Sequence, residues 1–408
     1  MPRPRRPRHR RRAFSAAVLC ALFVAPVPVR AESAPPSAAP AYAPCPIVRV
    51  PRPSLPAPPT PDPARPAIGG PGLKTAGLTV PPAAPTPPAV TATSWLVADL
   101  DTGAVLGACG PHRYATPASV QKLLLAATML PKLNPAQVIQ VTAADMDFEP
   151  GSSAMGVVRG GRYRIETLWL GLMLNSGNDA ANVLARLGAG SAARGVEAMN
   201  AEARRLGAFD THAATPSGLD GPRQYTSAYD LALIARACFA RGDFRRYVST
   251  RQAQVPAQPE LKVKGFGMQN DNQLLFQYPG ALGGKTGYTD LARHTFVGAA
   301  ERGGRRLLVT LLGAESQPVR GWQQGAALLD WGFALRRDAA VGRLITPDEA
   351  VPAEHVATPE PSARAPQART VGNADEQKVV RTGIAISVVA VLLLGLLATT
   401  WWRAGHRD

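Results

Sequence analysis

Between residues 92 and 336 the apolar positions change period twice. Ala92–Leu100 and Ala104–Cys109 are short apolar runs on either side of Asp101-Thr102-Gly103, which predicts a β-hairpin. His294–Ala300 and Arg306–Leu312 flank Arg302-Gly303-Gly304 and predict a second one. Between the hairpins the spacing becomes helical. Leu123–Met129, Ile165–Leu174, Ala180–Leu187, Gly195–Leu206 and Ala228–Phe239 carry apolar residues at helical intervals, and Gln323–Phe333 repeats the pattern as a closing helix. Strands at both ends with helices between them predict an α+β domain. Its antiparallel sheet joins N- and C-terminal strands around a central helical subdomain. No internal repeat is evident.

Composition sets the borders of that domain. The chain holds 40 prolines and 38 glycines, unevenly spread. Dense Pro/Ala stretches in 32–91 and 343–370 read as extended or disordered linkers. The folded domain is therefore expected at 92–336, with an extension over 32–91 and a linker over 337–382.

The two ends carry membrane signals. Arginines up to Arg12 precede an apolar run, Ala13–Ala25, which Pro26 and Pro28 break before Val29-Arg30-Ala31. That order predicts a secretory signal peptide over 1–31. Gly383–Trp402 is an apolar stretch of 20 residues without charge. As a helix it covers roughly 30 Å, enough to cross a bilayer. Arg403, His406 and Arg407 follow, so 403–408 is expected as a cytoplasmic tail, with the folded domain on the exported side.

Net charge is +16, and eight of the positive charges fall within residues 1–31. No helix-turn-helix, zinc-finger or stacking-aromatic pattern accompanies the charge, so nucleic-acid binding is not expected. Cys45, Cys109 and Cys238 lie beyond the signal segment. A disulfide is allowed outside the cell, three leaves an odd one, and no pair follows from the spacing. The spacing matches no metal site, and no cofactor is expected.

Three short motifs carry the chemistry. In Ser119-Val120-Gln121-Lys122, Thr116 is expected to cap a helix whose first turn holds Pro117 and Ser119. The backbone N–H of Ser119 is then free to hold an oxyanion. Lys122 projects from the same face, where a lysine of lowered pKa can activate the weak serine nucleophile. Ser176-Gly177-Asn178 interrupts two apolar helices. Ser176 could relay a proton to a leaving amine, and Asn178 could bind substrate backbone. Lys285-Thr286-Gly287 should begin the strand leading into the second hairpin. Lys285 offers positive charge for a carboxylate and for lowering the pKa of Lys122. Each motif alone is weak. Their order, Ser-x-x-Lys, Ser-x-Asn, Lys-Thr-Gly, is the set that penicillin-binding proteins and class A β-lactamases share.

On these residues the chain resembles the low-molecular-mass penicillin-binding proteins, the serine-type D-alanyl-D-alanine carboxypeptidases of peptidase family S11. The likeness extends through Leu174–Ala181, Ser217-Gly218-Leu219-Asp220, Tyr225–Asp230, Gly284–Thr289 and Leu328–Phe333. The resemblance implies a β-lactamase/transpeptidase-like fold. It also implies that Ser119 forms the acyl-enzyme, Lys122 takes its proton, and Ser176 and Asn178 assist. Lys285 and Thr286 bind the substrate's terminal carboxylate, and the amides of Ser119 and Tyr288 form the oxyanion hole. Arg320 stands about where relatives place a carboxylate-binding arginine, in diverged surroundings. The implied partners are peptidoglycan stem peptides and β-lactam antibiotics; relatives usually anchor by an amphipathic helix, whereas here a full span over 383–402 is expected to hold a monomer at the membrane. The β-rich second domain of some relatives is not expected here.

Other readings compete. A β-lactamase shares the triplet, but no clear deacylating glutamate is visible, and Gly177 stands where β-lactamases usually have Asp. Endopeptidase action uses the same acyl chemistry. A non-catalytic β-lactam or wall receptor is the reading from a different class; the short expected tail, Arg403–Asp408, and the intact Ser119 and Lys122 argue against it. His112, His212 and His294 invite a Ser-His-Asp reading, but Ser119 already has Lys122 one turn away.

Overall fold

The computed structural model describes residues 42–56, 59 and 68–350 of the 408. The expected signal peptide, the apolar stretch Gly383–Trp402 and the expected tail lie outside the described residues. Among those described, no helix is long and apolar enough to cross a membrane.

One antiparallel sheet organises the domain. In chain order its strands are β1 (Leu78–Thr79), β2 (Ser94–Asp99) and β3 (Ala104–Cys109). The small pairs β4 (Val138–Gln140) with β5 (Arg162–Arg164) and β6 (Gln252–Val255) with β7 (Phe266–Gln269) stand apart from it. The sheet resumes with β8 (Ala281–Thr289), β9 (Arg293–Arg302), β10 (Arg305–Ala314) and β11 (Gly342–Arg343). Its order is β1-β3-β2-β10-β9-β8, with β11 also on β3. β2 and β10 pair from Asp99↔Leu307 to Ser94↔Leu312, which joins the two ends of the domain as expected. Both predicted hairpins are present, and Gly303 and Gly304 take the positive φ that a two-residue turn between β9 and β10 needs.

The helices are α1 (Lys122–Met129), α2 (Ile165–Leu174), α3 (Asn178–Ala189), α4 (Ala192–Arg205), α5 (Ala228–Ala240), α6 (Gly242–Ser249), α7 (Leu274–Gln277) and α8 (Gly321–Ala334). Successive side chains of a strand point to opposite faces, so the sheet feeds two cores. Leu96, Ala98, Leu308 and Leu312 face the helical subdomain, with Leu123, Trp169 and Leu184. Trp95, Val97, Val309 and Leu311 face α8, with Leu328 and Trp331. Covering both faces explains why these strands read as near-continuous apolar runs. Every residue of α1 is buried, so the helix that Lys122 opens lies in the interior of the domain.

The folded unit is wider than 92–336. Part of the Pro/Ala-rich stretch expected as a linker belongs to the domain. Cys45 forms a disulfide with Cys109 on β3, Ile47 bridges Val90, and Leu73 is fully buried. Arg52 donates to the carbonyl of Gly313 at 2.8 Å and also to that of Thr91. On the far side β11 falls within the expected 337–382 linker, pairing with β3 at Gly342↔Val105. The proline-rich chain follows the sheet edge with few ladder bonds: β1 pairs with β3 at Leu78↔Cys109 and Thr79↔Ala108, and the Val48 N–H donates to the Val90 carbonyl at 2.9 Å. The covalent bond and single buried side chains such as Leu73 add to these, and composition does not reveal them. Cys238 is the odd cysteine, buried and free.

Candidate active site

Ser119 lies in a 3-10 turn, Ala118–Gln121, that runs straight into α1 at Lys122. The turn has Pro117 at its head and no side-chain cap, so Thr116 does not play the capping role expected of it. Instead the loop is fixed from the sheet: Thr295 Oγ1 on β9 donates to the carbonyl of Pro117 at 2.8 Å. Ala118, just before the nucleophile, has φ 50°, a left-handed conformation rare for a residue with a Cβ.

Lys122 is the electrostatic centre of the site. Its side chain is fully buried, and Nζ lies 2.9 Å from Ser119 Oγ, 2.7 Å from Asn178 Oδ1 and 2.7 Å from the carbonyl of Ser217. Two of these three oxygens are carbonyls that only accept. In the neutral amine both N–H groups go to them, and the lone pair is left facing the Ser119 hydroxyl. Burial pushes the Lys122 pKa well below its ordinary value, and the charge of Lys285 pushes it further down, against the opposing pull of Asp179.

The second motif forms the break between α2 and α3. Ser176 has φ 58° and sits between the two helices, its Oγ buried with no hydrogen-bond partner among the described residues. Asn178 opens α3 and is buried. Its Oδ1 receives Lys122, and its Nδ2 donates to Ser152 Oγ at 3.0 Å. The side chain expected to bind substrate backbone thus also holds the Lys122 amine in place. Next to it, both carboxylate oxygens of Asp179 accept backbone N–H groups, from Met155, Ala180, Gly156 and Val157 at 2.8–3.0 Å. They fix the 153–157 loop on α3.

The third motif lies on β8. Lys285 is buried, donates to the carbonyl of Thr286 at 2.7 Å, and has its pKa lowered to about 8 by burial, with Asp271 pulling the other way. A Cβ at Gly287 would come within 2.8 Å of the Ser119 backbone nitrogen and would also collide with Thr295 Oγ1. The β8 backbone therefore approaches the Ser119 amide as closely as glycine allows. Tyr288, the next residue, is 49% exposed. Its ring lies 4.7 Å from that of His294, and its hydroxyl accepts from Arg293 Nη1 at 3.1 Å. Gly287→Ala is expected to slow acylation by on the order of a hundredfold, the scale for a disturbed oxyanion donor, with the protein still folded. Penicillin acylation kinetics beside a thermal melt check this.

Ser119, Lys122, Asn178, Lys285 and Gly287 come together from three separate elements. Arg320 does not join them by any ion pair among the described residues; it is exposed at the head of α8, its backbone N–H donating to Gln323 Oε1. Two of the three histidines are engaged elsewhere: His112 bonds to Asp210 and Ile68, and His212 to the carbonyl of Arg223; His294, on β9, lies beside Tyr288. The Ser217 carbonyl and the anchoring role of Asp179 were not read as parts of the site. A backbone carbonyl leaves no sequence signal, whereas Asp179 directly follows the Ser-Gly-Asn motif.

An antiparallel sheet with a helical lobe, a serine at their seam and a buried amine beside it define the penicillin-binding DD-peptidases of β-lactamase/transpeptidase-like fold. The chain belongs to the D-alanyl-D-alanine carboxypeptidase family, peptidase family S11, whose profile matches residues 82–316. It is similar to D-alanyl-D-alanine carboxypeptidase DacB2 of Mycobacterium tuberculosis, at 44% identity over 275 residues, 66% of this chain and 92% of that one. It is 36% identical to DacD of Salmonella typhimurium over 61% of this chain and 64% of the relative, so it spans somewhat less than two thirds of that protein. Among solved structures, a D-alanyl-D-alanine carboxypeptidase from M. tuberculosis matches at 42% identity and TM-score 0.62, covering 65% of this chain and all of that one. The Streptomyces K15 DD-transpeptidase matches at 28% identity and TM-score 0.58, covering 62% of this chain and all of that one.

Proposed function

We propose that the chain removes the terminal D-alanine from peptidoglycan stem pentapeptides through an acyl-enzyme on Ser119. One observation carries the reading: a fully buried Lys122 amine held by two carbonyl acceptors, with its third direction on Ser119 Oγ. The neutral amine takes the hydroxyl proton as Oγ attacks the carbonyl carbon of the penultimate D-alanine. The amides of Ser119 and Tyr288 receive the oxyanion. The C–N bond then breaks, the departing D-alanine nitrogen gains a proton by way of Lys122 and Ser176, and water later cleaves the ester. Lys285 and Thr286 hold the terminal carboxylate. Penicillin enters by the same attack on its β-lactam carbonyl.

The β-lactamase alternative needs a carboxylate free to activate water. The one acting on Lys122, Asp179, has both oxygens occupied by backbone N–H groups, which favours a long-lived penicillin adduct. Export and anchoring through 383–402 belong to the same proposal. The Cys45–Cys109 disulfide supports it, since such bonds persist in oxidising compartments.

The test is D-alanine release from a stem pentapeptide as a function of pH. Activity should rise with pH as Lys122 loses its proton, because only the neutral amine is a base. It should fall above about pH 8 as Lys285 loses the charge that holds the carboxylate. The alkaline limb should move on substituting Lys285 and stay put on substituting Arg320. No D-alanine released at any pH would end the proposal.

A further inference from the structure

On the helical side of the cleft, two large apolar side chains stand in water. Leu261 is 42% exposed and Phe266 is 41% exposed. Both belong to the β6–β7 hairpin, whose loop is not loose. Gln258, buried at its base, accepts from the N–H of Arg162 at 2.8 Å and donates to the same residue's carbonyl at 3.0 Å. The loop thus lies along the edge of β5. Leu261 reaches Gly160, where a Cβ would lie 3.8 Å from it, and the Phe266 ring lies against Gly156.

Cations flank these two side chains. Arg159 and Arg162 lie on one segment, Lys262 and Lys264 on the other, all exposed. None of the four takes part in an ion pair among the described residues. Of the two acids within four residues of these cations along the chain, Glu166 is engaged by Arg246 at 2.7 Å, with Arg164 at 3.9 Å, which leaves Glu260.

From this juxtaposition we infer that the β6–β7 hairpin and β5 form a contact surface for an anionic phospholipid bilayer. A soluble anion or a charged polymer would use the four cations and leave Leu261 and Phe266 in water. A bilayer interface uses both: acyl chains receive the apolar side chains while anionic headgroups meet the ring of lysines and arginines. The surface adjoins the catalytic cleft, because Gly156, which carries Phe266, is held by Asp179 next to Asn178. A membrane seated there sets the cleft mouth close to the headgroups.

The test uses the full chain with Cys20→Ser and Leu261→Cys, labelled at 261 with an environment-sensitive fluorophore. The native thiols are a disulfide and the buried Cys238, so the label is placed selectively. The protein is reconstituted into vesicles with or without phosphatidylglycerol in phosphatidylcholine. A blue shift and protection from aqueous quencher are expected only with phosphatidylglycerol, weakening as salt is raised. Arg159→Gln, Arg162→Gln, Lys262→Gln and Lys264→Gln together should abolish both, with D-alanine release from a soluble peptide unchanged. The same shift in both vesicle types, or no shift in either, overturns the inference. So does a shift produced by an anionic wall polymer without lipid, which would make the partner that polymer.

Discussion

Ser119→Ala is expected to abolish covalent labelling by fluorescent penicillin and to lower D-alanine release by roughly 10⁴-fold or more, the scale on which loss of a nucleophile acts in serine hydrolases. The substitution removes the only atom able to form the ester. Its structural cost is small. Ser119 is only partly buried, its Oγ bonds to Lys122 alone, and Lys122 keeps the Asn178 and Ser217 oxygens as partners. Unchanged melting temperature with all label lost is therefore the expected pair of results. Label surviving on the variant would move the nucleophile elsewhere. Ser176→Ala should behave differently, because in the proposed mechanism Ser176 relays a proton and forms no ester. Labelling continues there at a reduced rate, and the two variants separate attack from proton transfer.

What the sequence disclosed about this site followed from local geometry. Ser119 and Lys122 are three apart, and any helical turn brings such residues to one face, so their contact was legible before any fold was known. The break at Ser176 was legible too, since Ser-Gly-Asn cannot easily continue a helix between two apolar ones. The oxygens that position the base were not. One belongs to Asn178, on another helix, whose side chain receives Lys122. The other is the Ser217 carbonyl, on a loop 95 residues from its partner. The fold shows the same division. Period-2 and helical spacing located the central strands and most helices. β1, β11 and the disulfide-tied segment at Cys45 escaped, because they are two residues long or proline-rich and hold on by single long-range contacts. Thr116 fits the local cap rules and still does not cap the turn, because the turn is anchored from β9 through Thr295, a non-local bond that those rules do not see.

Lys122→Met separates the base from the buried volume. Methionine fills much of the same space without the amine. Acylation by penicillin should fall at least 10³-fold, and the remaining rate should climb with pH without a plateau, since hydroxide alone then removes the serine proton. The magnitude follows from what the site does to the amine. An ordinary lysine is neutral in only about one molecule in a few thousand at pH 7, a cost of roughly 4–5 kcal/mol for any step that needs the free base. Burial and the neighbouring Lys285 remove much of that cost in the native protein. Stability should move little. The variant leaves the Asn178 and Ser217 oxygens without a donor, at about 1–3 kcal/mol, but it also relieves the desolvation of a fully buried amine. Lys122→Ala opens a cavity beside Ser119 instead, and small primary amines should restore part of the acylation rate there, more so as their basicity matches the working pH. Rapid-quench acylation across pH, with and without added amine, decides the matter. A Lys122→Met protein that acylates within tenfold of the native rate would mean that the serine proton leaves by another route.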